Sequence, residues 1–144
     1  MSPREALQTA LAAEHAALHV YGALGASTSA SASPGLFAEL TASYAEHRAR
    51  RDLLTARVLD QGGEPVAAEA AYELPGGLDS AAGVTRAALA IERRLEATYA
   101  WVVGQTSGVE RQLAVTALTN GAVRALAYRG SPEIFPGMDD NADR

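Results

Sequence analysis

Glu14 stands in the middle of LAAEHAALHVYGALGA (residues 11–26), a run of mostly small apolar residues. Three more polar side chains share its situation: His47 in EHRARRD, Glu92 in AIERRLEA and Asn120 in LTNGAV. Glu14, His47 and Glu92 are types that ligate divalent cations, and with water completing the shell they would suffice for one iron, manganese or zinc ion. The same groups can instead close on each other. A lone buried acid is costly, but two acids, an imidazole and an amide in one layer can satisfy one another or share a proton, with Tyr44, Tyr99 or Asn120 completing the bonds. The closed network is the plainer reading, with no cofactor; the single ion is the alternative. His15 and His19 have the i, i+4 spacing of a metal clamp, but without an intervening glutamate and a third ligand they read better as a polar edge or a dimer contact.

These residues need elements to position them, and the chain supplies helices. Alanine is abundant and β-branched and aromatic residues are thin, so propensity favours helix almost throughout. Ser2-Pro3-Arg4-Glu5 combines an N-cap, a proline at the first helical position and a capping-box glutamate, and predicts helix 1 over Pro3 to about Leu24. Ser33-Pro34 repeats the start signal for helix 2, which Gly62-Gly63 stop after Gln61. Residues 62–78 hold two prolines and four glycines and read as a long connection. Asp79 is a candidate cap for helix 3, running to about Val103; Ser107-Gly-Val-Glu110 reads as a second capping box opening helix 4, which Gly130 and Pro132 close near Arg129. Ile134, Phe135 and Met138 are available to dock on the body of the domain, taken as residues 1–138, with 139–144 a loose tail.

Periodicity then orients each helix. Leu7, Leu11, Leu18 and Tyr21 form the inward stripe of helix 1 with Glu14 in its gap, and Ala88, Leu95, Tyr99 and Val102 define a face of helix 3 that includes Glu92. Helix 2 offers Phe37, Leu40, Tyr44, His47, Leu54 and Val58, with Arg51 leaning to an edge. Helix 4 offers Val109, Leu113, Thr116, Asn120, Val123 and Ala127. Counting back from the helix ends places Glu14 opposite position 44 and Glu92 opposite position 119, so all four polar residues fall near one level. Arg93, Arg94 and Glu96 read as ordinary helix surface, Arg48 and Asp52 as an i, i+4 pair, and Trp101 as either a buried side chain or an anchor for a dimer or crossover contact.

Short, long and short connections make two antiparallel hairpins joined by a crossover between helices 2 and 3, the connectivity of an all-α, ferritin-like four-helix bundle. Together with ALAAEHAALHVYGALGA, EHRARRD, AAYELP and FPGM, this resembles an uncharacterised actinobacterial family of ferritin-like proteins, a domain of unknown function, over Ala6 to Met138. The resemblance implies a ferritin-like fold, a homodimer and no established activity. The wider superfamily builds a di-iron site from one glutamate on each of two helices and a Glu-x-x-His on each of the others. By position Glu14 and Glu92 match the lone glutamates and His47 the histidine of helix 2. Tyr44 stands where that helix should carry its glutamate, and Ala117 and Asn120 replace the pair on helix 4, so the di-iron site reads as eroded.

Composition narrows the rest. Twelve basic against seventeen acidic residues give a net charge of −5, with no basic cluster beyond 47–51, so nucleic acid is not an expected partner. The absence of cysteine excludes disulfides and thiolate chemistry. No apolar run is long enough to span a bilayer, no leader is visible, and the expectation is a cytoplasmic protein without a membrane partner. G-x-S-x-G, P-loop and G-x-G-x-x-G motifs are missing. The sequence therefore predicts a non-catalytic dimeric or partner-binding module; the alternative is a mononuclear metal or small-ligand binder with weak redox activity.

Overall fold

In the computed structural model, which describes residues 2–131 and 134–138, four helices account for most of the chain: α1 Pro3–Ala26, α2 Pro34–Asp60, α3 Ala81–Gln105 and α4 Gly108–Arg129. No strand occurs among the described residues. The capping box forms at α1, where Ser2 Oγ accepts from the Glu5 amide and Glu5 accepts from the Ser2 amide. The later start signals work differently. Ser33 and Ser107 cap α2 and α4 without a side-chain bond, and Ser80, not Asp79, caps α3 by accepting from the Gly83 amide. Glu110 is drawn away from its own helix end to Arg57 at 2.5 Å and Gln61 at 3.1 Å on α2, and Arg57 holds its carboxyl below the usual range. Gly130 ends α4 in the left-handed conformation at φ 82°.

The helices form a four-helix bundle of two antiparallel hairpins, α1–α2 and α3–α4. Pairing is antiparallel across the hairpins too: as α1 advances from Glu14 to Tyr21, its hydrogen-bonded partner on α3 retreats from Tyr99 to Glu92. On the other side Ser43 meets Tyr128 and Arg57 meets Glu110, so α2 and α4 also run in opposite directions. The connection between the hairpins climbs along α1. Gln8 donates to the Glu64 carbonyl and accepts from the Val66 amide, His15 bonds the Val66 carbonyl at 3.1 Å, and the His19 ring lies 5.4 Å from that of Tyr72. The i, i+4 histidine pair thus straps the crossover to α1.

The inward faces of α1 and α3 are those the periodicity predicts; Leu7, Leu11, Glu14, Leu18 and Tyr21, and Ala88, Glu92, Leu95, Tyr99 and Val102, are all buried. On α2, Leu40, His47, Leu54 and Val58 are buried as expected and Arg51 leans to the edge, but Ser43 takes the inward place of Tyr44, Arg50 is buried, and Phe37 is only half-buried. Helix α4 is turned much further. Ala114, Ala117, Gly121, Ala125 and Tyr128 face the core, whereas Val109, Thr116, Asn120, Val123 and Ala127 are exposed. Small residues let α4 lie close to α3. A methyl group on Gly121 would meet Glu96 Cγ at 3.3 Å, and the larger valines are left outside.

Two smaller expectations change, and Trp101, left open between burial and an outer contact, is placed. Asp52 pairs with its neighbour Arg51 and not with Arg48. Trp101 packs half-buried against the core of the monomer. Ile134, Phe135 and Met138 point outward; the segment meets α3 by backbone instead, at Gly137, whose φ of 78° and proximity to the Glu96 carbonyl leave no room for a side chain. The expected loose tail, 139–144, lies outside the described residues.

Candidate functional site, a buried charged layer

The centre of the bundle is crossed by a chain of hydrogen bonds. His47 Nδ1 lies 2.7 Å from Glu14 Oε2, and Nε2 lies 2.9 Å from Glu92 Oε1. Each carboxylate is held by a tyrosine from the helix across: Tyr99 donates to Glu14 Oε1 at 2.5 Å and Tyr21 to Glu92 Oε1 at 2.6 Å. Arg124, on α4, donates Nε to both oxygens of Glu92 at 3.3 Å. The Tyr21 ring stacks on His47 with centroids 5.1 Å apart, fixing the plane in which the imidazole presents its two edges.

Each residue reaches this level for a local reason. Glu14 is the one polar member of the α1 stripe, two turns from Tyr21; Glu92 and Tyr99 stand seven apart on α3, so the two pairs close reciprocally between antiparallel helices. His47 lies on the α2 seam between Leu40 and Leu54, with Arg50 one turn on, its guanidinium 5.6 Å from the Tyr99 ring centroid and bonded to the Ala117 carbonyl at 3.2 Å. Glu14 and Glu92 are fully buried and His47 is 1% exposed.

The protonation state follows from the partners. Ionised carboxylates only accept hydrogen bonds, and both ring nitrogens of His47 face one, so the imidazole satisfies both edges when both nitrogens carry a proton. Burial opposes that charge, but hydrogen bonds and attraction from Glu14 and Glu92 outweigh it and raise the pKa of His47 above its usual 6.5. For Glu92 burial likewise pushes up, and His47, Arg124 and Tyr21 more than offset it, leaving the carboxyl below its usual 4.5. Burial and the neighbouring carboxylates push the Tyr21 and Tyr99 hydroxyls far up, so both remain donors.

A resident metal would need these donors to converge on one point. Glu14 and Glu92 instead occupy opposite edges of the imidazole, the ring nitrogens are committed to them, and the guanidinium of Arg124 lies against the free side of Glu92. This arrangement does not fit a metal ion, and among the described residues no group of three or more His, Asp or Glu has the geometry to hold one. Of the residues that the resemblance sets at the remaining di-iron positions, Tyr44 and Asn120 are exposed and Ala117 is buried without a donor side chain.

The structure thus brings Glu14, His47 and Glu92 together and leaves Tyr44 and Asn120 out. It adds Tyr21, Arg124 and Arg50, together with Glu96, fully buried one turn beyond Glu92, and the Ser43–Tyr128 pair at 2.8 Å. A sequence signal existed for two of them. Glu96 is i+4 from Glu92 on the same face, and Tyr21 is seven residues from Glu14. Arg124 and Arg50 carried none, because a long basic side chain on an alanine-rich helix looks the same whether it turns in or out.

A family model described as Domain of unknown function (DUF4439) matches residues 6–140. The chain is 32% identical to a conserved hypothetical protein, Rv2844, from Mycobacterium tuberculosis, and superposes on its crystal structure with a TM-score of 0.81, covering 89% of this chain and 95% of that one. No curated protein matches. With a match over nearly all of its length and a solved relative of the same architecture, the chain belongs to the DUF4439 family.

Proposed function

We propose that this protein is a non-catalytic four-helix module of ferritin-like ancestry. Its central layer is a structural ion network, and it acts through its outer surface as a homodimer or by binding a partner protein. One observation carries the reading: both edges of His47 are closed by carboxylates that are themselves closed by tyrosine hydroxyls, inside a layer that solvent does not reach. A catalytic layer needs an open position where a reacting atom can sit. Ferritin-like ancestry is supported by the hairpin, crossover, hairpin connectivity and by the placing of Glu14, His47 and Glu92 at equivalent levels of three helices.

The outer surface offers one contact face. Val109, Val115, Val123 and Leu126 of α4 are between 37% and 65% exposed and project away from the core-facing alanines, a stripe suited to a second copy. Light scattering with Val123→Glu tests it: the wild type is expected as a dimer at micromolar concentration and the variant as a monomer, and a monomeric wild type would remove the dimer.

A second reading, a mononuclear iron, manganese or zinc binder with weak redox chemistry, rests on the meeting of two carboxylates and an imidazole in one layer. It requires the His47 ring and one carboxylate to turn. Elemental analysis of protein produced with supplemented metals separates the two. The network reading expects negligible metal in wild type and in Glu14→Ala; stoichiometric metal that vanishes in Glu14→Ala would overturn it.

A further inference from the structure

A cleft of about 350 Å³ opens between α1 and α3 on the side the crossover covers, at the height of the charged layer. It exists because many positions along its walls are small. Ala13 and Ala17 on one wall and Ala87 and Ala90 on the other cannot fill the space, and the crossover passes over the gap with Leu74 and Pro75 instead of plugging it. This size and apolar lining are those of a small-molecule site.

Two charged side chains also line the cleft: Arg94 on α3 and Glu73 on the crossover. Their heights agree. Glu14 faces Tyr99 and Tyr21 faces Glu92, so His19 of α1 is level with Arg94, and the ring of Tyr72 lies on His19, which delivers the next residue, Glu73, at that same level. Both side chains are exposed, and neither forms an ion pair among the described residues. The apolar trough is therefore flanked, partway along its length, by a cation from α3 and an anion from the crossover, not joined to each other.

We propose that this cleft binds a free α-amino acid with an apolar side chain, its carboxylate on Arg94, its ammonium on Glu73 and its side chain on the alanine floor. A plain fatty acid would leave Glu73 beside its carboxylate, and an amine would meet the guanidinium; a zwitterion uses both charges and satisfies the trough.

The test is titration of isotopically labelled protein, followed by NMR, with leucine and phenylalanine, and with 4-methylpentanoic acid and 3-methylbutylamine, which lack leucine's ammonium and carboxylate respectively. Saturable shifts at Ala13, Ala17 and Ala87 are expected with leucine or phenylalanine at about millimolar concentration. Binding should weaken about tenfold for either truncated analogue, and about tenfold in Arg94→Gln and in Glu73→Gln, since each change removes one charge-assisted contact. Ala90→Phe should abolish it. Arg94, Glu73 and Ala90 are exposed, so these variants are expected to keep the wild-type helical spectrum. Absence of saturable shifts with both amino acids, equal binding of 4-methylpentanoic acid, or wild-type binding by the glutamine variants would overturn the proposal.

Discussion

Glu14 Oε2 and His47 Nδ1 are 2.7 Å apart in a fully buried position, on two helices joined by only seven residues, 27–33. The pair is half of a symmetric arrangement, because the other edge of the imidazole meets Glu92 on the opposite hairpin. One ring thereby ties the two hairpins together at mid-height. Removing one partner leaves a buried charge without compensation, so Glu14→Ala should destabilise the protein by about 3–5 kcal/mol. Glu14→Gln, which keeps an acceptor for Tyr99, should cost less. Urea unfolding of the two variants checks the order.

The layer makes stability depend on pH in a defined direction. His47 has a folded-state pKa raised above 6.5, so its contribution is fully present below about pH 6.5 and is lost as the pH rises through the raised value. Glu92 has a folded-state pKa lowered below 4.5, so its contribution is present above about pH 4.5 and lost as the pH falls through the lowered value. Thermal unfolding across pH should therefore show greatest stability at about pH 4.5–6.5, and His47→Gln should flatten the alkaline limb.

The tyrosines test whether the carboxylates need their outer donors. Tyr21→Phe and Tyr99→Phe each remove one hydrogen bond to a charged group and should cost about 1.5–3 kcal/mol. A double-mutant cycle between Tyr99→Phe and Glu14→Gln should show coupling of at least about 0.5 kcal/mol, as residues of one network are not additive. Additive losses in denaturant unfolding would place Tyr99 outside the network.

Gly121 sets how closely α4 approaches the acids of α3. A methyl group there meets Glu96 Cγ at 3.3 Å, a contact the flexible side chain can relieve, and alanine gains about 1 kcal/mol of helix propensity over glycine, so Gly121→Ala should be close to neutral. Gly121→Val adds bulk that the packing cannot absorb and should cost about 1–3 kcal/mol. Chemical denaturation of both variants is the check.

Much of this architecture was legible in the residues. The capping box at Ser2, the proline at position 34 and the glycine-rich connection fix where helices begin and cross, and large apolar residues mark the inward faces of α1 and α3 unambiguously. Helix α4 departs from the face its periodicity predicts for a physical reason. Its large apolar residues, Val109 and Val123, lie outside, and its core face is made of Ala114, Ala117 and Gly121, whose value is closeness and not bulk. Periodicity weighted by hydrophobicity therefore selects the wrong side. The same error put Asn120 in the layer and left Arg124 out. Tyr44 failed similarly, because Ser43 takes the inward position one residue earlier and bonds Tyr128. Glu14, His47 and Glu92 could be found because a single polar residue inside an apolar stripe is visible; long side chains that reach the layer from its edge are not.

The central claim is that His47 is an imidazolium bridging two carboxylates. Long-range nitrogen–proton NMR of the histidine side chains at neutral pH reads both ring nitrogens directly. Nδ1 and Nε2 of His47 are both expected to appear protonated, each facing a carboxylate oxygen. A single neutral tautomer for His47 at neutral pH, or one ring nitrogen with the shift of a metal ligand, would contradict it.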